Sequence, residues 1–325
     1  MYSIILFSLF QILLRQVSSQ EDYHGPIFGI ISIPSDFAQY PADQWSYFPT
    51  SYAKFIESGG AQVVPIQYDL PRDNLTALLN SVNGVLFPGG GSNFTDEEGN
   101  LTPIAETLKY VVEFVIDQNI VQGKYYPLWG TCLGFEAIAM IIAGNFSLLS
   151  KCELCIDVSK NNFLNPNYSS RLFANLPQDL NEKLSYANLS HFSEEYKLDI
   201  AAFENSPSLK SLFTPISYTY DAAGVKYISA YESHSMPIYA TQFHQEGSTY
   251  GWGGKTTNHG IDAVRLQQYL SNFLVSEALK NSNVFEDFQE HLIDNYNVTM
   301  VLNSSISPAH LFPAIRSLSP QIVTS

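Results

Sequence analysis

The stretch Tyr125-Tyr126-Pro127-Leu128-Trp129-Gly130-Thr131-Cys132-Leu133-Gly134, running on through Phe135 and Glu136 to Ile142, decides how the whole chain is read. Its first part, Tyr125 to Trp129, is a short apolar run rich in aromatics, the pattern of a strand. Its last part, Leu133 to Ile142, is apolar on every face and reads as a central, buried helix. Between them lies a glycine-x-nucleophile-x-glycine turn. Glycine permits a sharp change of direction and close packing of helix on strand, and the turn lifts the middle side chain clear of the sheet. Cys132 then stands at a helix N-terminus, where free amides and the helix dipole favour a thiolate. The N–H of Leu133 is placed to donate to an oxyanion formed at that sulfur.

Working outward, the same alternation recurs upstream. Pro26 to Ile33 is a continuous apolar run, as in a strand buried on both faces. A helix over Thr50 to Glu57 ends at Gly59-Gly60, a second strand spans Ala61 to Ile66, and Pro71 to Val82 is a short helix with proline in its first turn. Gly84 to Phe87 forms a third strand, closed by Pro88-Gly89-Gly90-Gly91. Ile104, Leu108, Val111, Val112 and Val115 recur at helical spacing. This pattern predicts an α/β fold: an open, mostly parallel central sheet with helices on both faces. The Gly-rich turn after the third strand lies on the same sheet edge as Cys132, and Gly90 is the choice for a second oxyanion amide.

Downstream, residues 150 to 215 show little periodicity. Val225 to Tyr231 and Pro237 to Phe243 are predicted strands, paired as a hairpin, and Ile261 to Leu279 is an amphipathic helix. The tail after Lys280 is polar and is expected to wrap the surface. With no internal repeat and no linker-like stretch, the organisation expected is a leader over 1–19, one α/β domain over 20–280 and a C-terminal extension over 281–325.

The chain has 325 residues, 45% of them hydrophobic and 14% charged, enough for a sizeable core. Lys and Arg number 16 against 31 Asp and Glu, a net charge of −15. Such a chain offers no basic face to nucleic acid or to an anionic membrane. An anionic small molecule is admissible only in a pocket with local Arg, Lys or backbone N–H groups.

Ile4 to Leu14 is almost wholly apolar but too short to span a bilayer, and Val17-Ser18-Ser19 follows as a small-residue cleavage pattern. The expectation is a secretory leader cleaved near Ser19. Asn-x-Ser/Thr occurs at Asn74, Asn93, Asn100, Asn145, Asn167, Asn188, Asn297 and Asn303, in keeping with glycosylation in that pathway. Of three cysteines, Cys152 and Cys155 are close enough to form a local bridge; they lack the second pair that a zinc knuckle needs. Cys132 is then the odd thiol and the candidate nucleophile.

A thiol nucleophile needs a proton acceptor. Among seven histidines, His244 lies just past the strand ending at Phe243, where open α/β sheets carry their sites. Glu246, two residues on, can hold its ring. His191 is a secondary candidate for substrate contact. His234 is assigned to the surface of the hairpin.

Phe87-Pro88-Gly89-Gly90, Pro127 to Glu136 and Gln242-Phe243-His244-Gln245-Glu246, with Ser51 to Pro65 and Ser170-Arg171-Leu172-Phe173, together resemble folate gamma-glutamyl hydrolase, of the class I glutamine amidotransferase-like fold, which is flavodoxin-like. The likeness covers about residues 26 to 280. It implies Cys132 as nucleophile, His244 as general base, Glu246 as third member, and Gly90 and Leu133 as oxyanion-hole amides. It also implies substrate contacts from His191 and from Arg171 as a carboxylate binder. The implied activity is hydrolysis of gamma-glutamyl amide bonds in folyl or antifolyl poly-gamma-glutamates through a thioester, with no metal or organic cofactor. The implied setting is the secretory pathway, leading to the exterior or to a lysosome or vacuole, and the implied assembly is a homodimer. Gln245 stands where the family has proline, a change expected to loosen Glu246. Two other readings compete: a glutaminase-type amidotransferase of the same fold, and a catalytically dead, secreted anion-binding protein.

Overall fold

The computed structural model describes residues 24–301 and 308–315. The expected leader over 1–19 and the sequon at Asn303 lie outside the described residues. Strands β1 (Ile27–Ile31), β2 (Gln62–Ile66), β3 (Gly84–Phe87) and β4 (Leu128–Thr131) lie parallel in the order β2-β1-β3-β4. Downstream come β5 (Phe213–Tyr220), β6 (Lys226–Ser233) and β7 (Ile238–Thr241). β7 adds in parallel to β4, β6 returns antiparallel to β7 as the expected hairpin, and β5 pairs antiparallel with β6. The sheet is open and mostly parallel, as the alternation requires.

Every residue of β1, β3, β4 and β7 is buried, which explains why these strands read as unbroken apolar runs. Successive side chains go to opposite faces and into two different cores. Ile27, Ile31, Phe87 and Leu128 pack with residues of α2 (Arg72–Ser81), α3 (Pro103–Ile120) and α4 (Leu133–Ala143). Phe28, Ile30, Leu86, Trp129 and Tyr239 pack on the other face with α1 (Thr50–Glu57) and α5 (Ile261–Ala278). Each such side chain contributes roughly 1.5–3 kcal/mol by burial. α4 presses so closely on β3 that a Cβ at Gly134 would lie 2.3 Å from the carbonyl oxygen of Phe87. The second glycine of the Cys132 turn is therefore required by packing.

The irregular stretch holds short elements. Val158–Lys160 pairs antiparallel with Ser190–Phe192, and Tyr196–Asp199 adds to β6. The predicted local bridge between Cys152 and Cys155 is present. In the tail, Ala309–Pro313 lies antiparallel to Trp45–Pro49, in a smaller sheet that the local pattern does not announce. Among the described residues no helix is long and apolar enough to cross a membrane.

Because β3, β4 and β7 run parallel, their C-terminal ends share one edge. Gly89 and Gly90, Cys132 and His244 follow directly from those ends.

Candidate active site

Cys132 holds φ 51° and ψ −107°, a conformation that costs a non-glycine residue about 1–3 kcal/mol. The surroundings enforce it. Its N–H donates to Thr241 O at 2.9 Å, fastening the turn to β7, and its carbonyl accepts from Glu136 N at 2.9 Å in the first turn of α4. The residue is 5% exposed, and the thiol points at Ser193 O, 3.8 Å away.

His244 is held from both sides. Its backbone N–H donates to His191 O at 2.8 Å. Its Nδ1 lies 2.8 Å from Glu246 Oε1 and 3.2 Å from the hydroxyl of Tyr52, which itself accepts the Gly89 N–H at 2.7 Å. Nε2 is buried and has no hydrogen-bond partner among the described residues. One ring nitrogen is thus fixed and the other is left for the thiol.

The two groups are electrostatically joined. Burial pushes the Cys132 thiol above its ordinary value, with Glu136 and Glu194 adding to the rise and the His244 ring opposing it. Burial at Cys132 therefore opposes the thiolate that a helix N-terminus favours. Burial also works against a charged His244, but Glu246 and the Cys132 sulfur outweigh it and raise the ring well above the ordinary imidazole range. Each group thus favours the charged form of the other.

Gly89 and Gly90 divide two tasks. The Gly89 amide is committed to Tyr52, whereas Gly90 N–H has no hydrogen bond among the described residues. Gly90 takes φ 150°, where a side chain would collide with Ile33. Leu133 opens α4, so its N–H has no intrahelical acceptor. The turns after β3 and β4 thus each carry an amide without a hydrogen bond among the described residues.

His191 is brought to the site. Its ring centroid lies 6.1 Å from that of His244, its Nδ1 is 3.4 Å from Thr257 Oγ1, and burial lowers it to about 4. Arg171 is not brought there. Its Nη2 donates to Ser233 O and Met236 O, its backbone N–H donates to Glu232, and its guanidinium lies 5.1 Å from the Tyr239 ring centre. Those partners belong to the turn that leads into β7, at the opposite end of the strand from His244. Its Nη2 thus closes the hairpin, away from the end of the strand that carries His244.

Gln245 also departs from expectation. It is 4% exposed, and its amide lies under the elbow. In the orientation that satisfies all its neighbours, the nitrogen donates to Phe243 O at 2.8 Å and Thr241 Oγ1 at 2.9 Å. The oxygen accepts from Thr131 Oγ1 at 3.2 Å and Trp129 Nε1 at 3.0 Å. It ties the end of β7 to the end of β4, so the turn carrying Glu246 is anchored by a side chain where a proline would have stiffened the backbone.

Three residues escape the sequence reading. Glu136 is buried in α4, accepts from Gln242 Nε2 at 3.0 Å and is raised by burial to about 8. A lone acid four residues after Cys132 in an apolar helix was its signal. Glu194 is raised by burial to about 7. Tyr52 has no local signal, since its importance arises only when α1 meets the Gly89 turn. Among the described residues, Cys152, Cys155 and Glu194 are near enough to one another to hold a metal, but the two sulfurs are joined to each other.

This arrangement of thiol, imidazole, carboxylate and two free amides is competent for acyl transfer. Residues 26–246 match the profile of peptidase C26. The chain belongs to the peptidase C26 family. As a peptidase C26 member it is a hydrolytic enzyme. It is 34% identical over 278 residues to gamma-glutamyl hydrolase B of Dictyostelium discoideum, covering 84% of this chain and 79% of that protein. It is 33% identical to the gamma-glutamyl hydrolase of Mus musculus over 89% of this chain and 91% of that one. The Rattus norvegicus gamma-glutamyl hydrolase is 36% identical over 74% of each.

Proposed function

We propose that the chain hydrolyses gamma-glutamyl amide bonds of folyl or antifolyl poly-gamma-glutamates, with Cys132 as nucleophile and His244 with Glu246 as its proton-transfer pair. The observation that carries this is the strained Cys132 elbow on the same sheet edge as His244, whose Nδ1 is held by Glu246 while Nε2 has no partner. The named relatives support the gamma-glutamyl bond as the target.

As the sulfur attacks the γ-carbonyl carbon, the thiol proton passes to His244 Nε2. The C–S bond forms and the carbonyl pair moves to oxygen, which accepts from the amides of Gly90 and Leu133. Losing one such donor costs on the order of 3 kcal/mol of transition-state stabilisation. Collapse breaks the C–N bond while His244 returns its proton to the leaving amine, so a thioester remains on Cys132. Water then gives a proton to His244 and attacks the thioester, and the sulfur leaves and is reprotonated. The 6.1 Å between the His191 and His244 ring centroids supports a substrate contact by His191.

The intact pairing of Cys132, His244 and Glu246 favours a hydrolase over a dead binding protein. Exposure of every described sequon asparagine supports a glycoprotein of the secretory pathway, bound for the exterior or a lysosome or vacuole. Chromatography of the products from a folate pentaglutamate, wild type beside Cys132→Ala, tests the reading. Release of glutamyl products by wild type alone is expected, and equal turnover by both proteins overturns it. Glutamine turnover in place of the pentaglutamate would favour the amidotransferase reading.

A further inference from the structure

Cys152 and Cys155 are bridged across Glu153 and Leu154. Cys155 is buried and Cys152 half-buried, so one sulfur faces the exterior more than the other. The bridge borders a cavity of about 460 Å³ lined also by Lys151, Leu154, Ile156 and Glu195. Behind it stands Glu194, 2% exposed, with a carboxylate oxygen within 4.8 Å of the sulfurs. Glu194 Oε1 accepts from the Tyr227 hydroxyl at 2.6 Å, and that hydroxyl is 4.0 Å from Cys155 Sγ. Oε2 has no hydrogen-bond partner among the described residues, and the reaction derived above does not use this acid.

Three consecutive residues join this loop to Cys132. Ser193 O faces the Cys132 thiol at 3.8 Å. Glu194 N–H donates to Cys155 O at 3.3 Å, and Glu195 O accepts from Cys152 N–H at 2.8 Å.

We propose that Cys152 and Cys155 form a thiol–disulfide exchange site that accepts a dithiol reductant and sets the reactivity of Cys132 through Ser193, Glu194 and Glu195. For its hydrolytic readout this rests on the function proposed above. A thiolate of the dithiol attacks Cys152 Sγ, the S–S bond breaks, and the electron pair goes to Cys155 Sγ. Cys155 takes the proton of the Tyr227 hydroxyl, Tyr227 takes that of Glu194, and Glu194 regains one from solvent. The second thiol of the reductant loses its proton to solvent and attacks its own sulfur in the mixed disulfide. Cys152 leaves and takes a proton from water, and the reductant departs as a cyclic disulfide. Two electrons and two protons reach the protein. With the sulfurs free to separate, the loop no longer clamps the 193–195 segment, and Ser193 O loses its place at Cys132. The groups facing Glu194 are Lys160, Tyr227, His244, Cys132 and Glu136.

The test uses the full glycosylated chain, equilibrated without oxygen in graded mixtures of reduced and oxidised dithiothreitol. Free thiols are counted by alkylation and mass spectrometry, and the alkylation rate of Cys132 and pentaglutamate hydrolysis are followed in parallel. The thiol count is expected to rise from one to three in a single two-electron step. In the same step the Cys132 alkylation rate should change and kcat fall about tenfold. The Cys152→Ser/Cys155→Ser variant should show the reduced-state values in every buffer. Glu194→Gln should slow reduction about tenfold while keeping its folded spectrum. A count that rises only in denaturant, or that rises while Cys132 alkylation stays flat, overturns the proposal. Thiol count and alkylation are read without substrate, so the exchange site and the hydrolase reading fail separately.

Discussion

The two edges of the central sheet both carry buried charge and handle it in opposite ways. At the N-terminal end of β7, Glu232 accepts from Ser170 Oγ, Arg171 N and Leu172 N at 2.8–3.0 Å, and Arg171 donates to the two carbonyls of the next turn. At the C-terminal end, His244 Nε2 and Glu246 Oε2 are buried and partnerless among the described residues, and Cys132 holds a backbone conformation it would not choose. The first edge uses its polar groups to close a hairpin; the second leaves capacity unspent for a reacting molecule. A buried ion pair is therefore poor evidence of a site in this fold, whereas an orphaned atom beside a strained cysteine is better evidence.

The largest effects should separate the edges. Cys132→Ala should lower turnover of a folate pentaglutamate by roughly 10⁴-fold or more. Cys132→Gly should be equally inactive yet gain about 1 kcal/mol in a denaturant melt, because glycine accepts φ 51° without strain. At the far edge the pattern reverses. Glu232→Ala should cost about 3–5 kcal/mol of stability while kcat per folded molecule stays within about twofold.

Glu246→Gln sharpens the near edge. Turnover should fall roughly 10²–10³-fold. Glu246 is among the groups that raise His244, so the limb of the kcat/KM profile that reports His244 should move to lower pH in the variant. An unmoved limb would detach Glu246 from the ring. Gln245→Ala removes the tie between β7 and β4, with an expected loss of about tenfold in kcat, little change in KM and about 1 kcal/mol of stability. Gln245→Glu, which keeps the acceptor, should recover part of kcat.

The smallest expected effect is in the stability profile. His191 and His310 fold at about 4 against 6.5 unfolded, so the unfolded chain binds their protons first and they weaken the fold as pH drops from 6.5 toward 4. Glu136 and Glu194 fold at about 8 and 7 against 4.5 unfolded. Their contribution is full below 4.5 and is lost as pH rises through 7 and 8. The two pairs oppose each other between 4.5 and 6.5, so stability should be nearly flat there. Above 6.5 Glu136, Glu194 and His244 all act in one direction, and stability should decline toward pH 8. A melting temperature that rises across that upper range would contradict these assignments.

The near edge was largely legible because its instructions are local. Gly130 to Gly134 dictates the elbow, the strand ending at Phe243 places His244, and two residues later the chain supplies Glu246. The parallel sheet was legible because strands covered on both faces read as unbroken apolar runs. The place of Arg171 was not legible, because Ser170 to Phe173 carries no sign of which sheet edge receives it; that is settled by Glu232, 61 residues along the chain from Arg171. Tyr52 acquires its role only by long-range packing. Trp45–Pro49 pairs with a strand near the other terminus, a contact invisible to any local window.

That last pairing has a practical edge. Ala309–Pro313 lies between Trp45–Pro49 and Val298–Thr299, with Phe312 fully buried, and Thr50 N–H rests on Pro308 O. Trp45–Pro49 runs straight into the helix that carries Tyr52 to the Gly89 amide. Clipping the chain before residue 308 would unbuckle a clasp whose other half leads into the helix that carries Tyr52. A truncation that removes Ala309–Pro313 should therefore cost activity as well as stability.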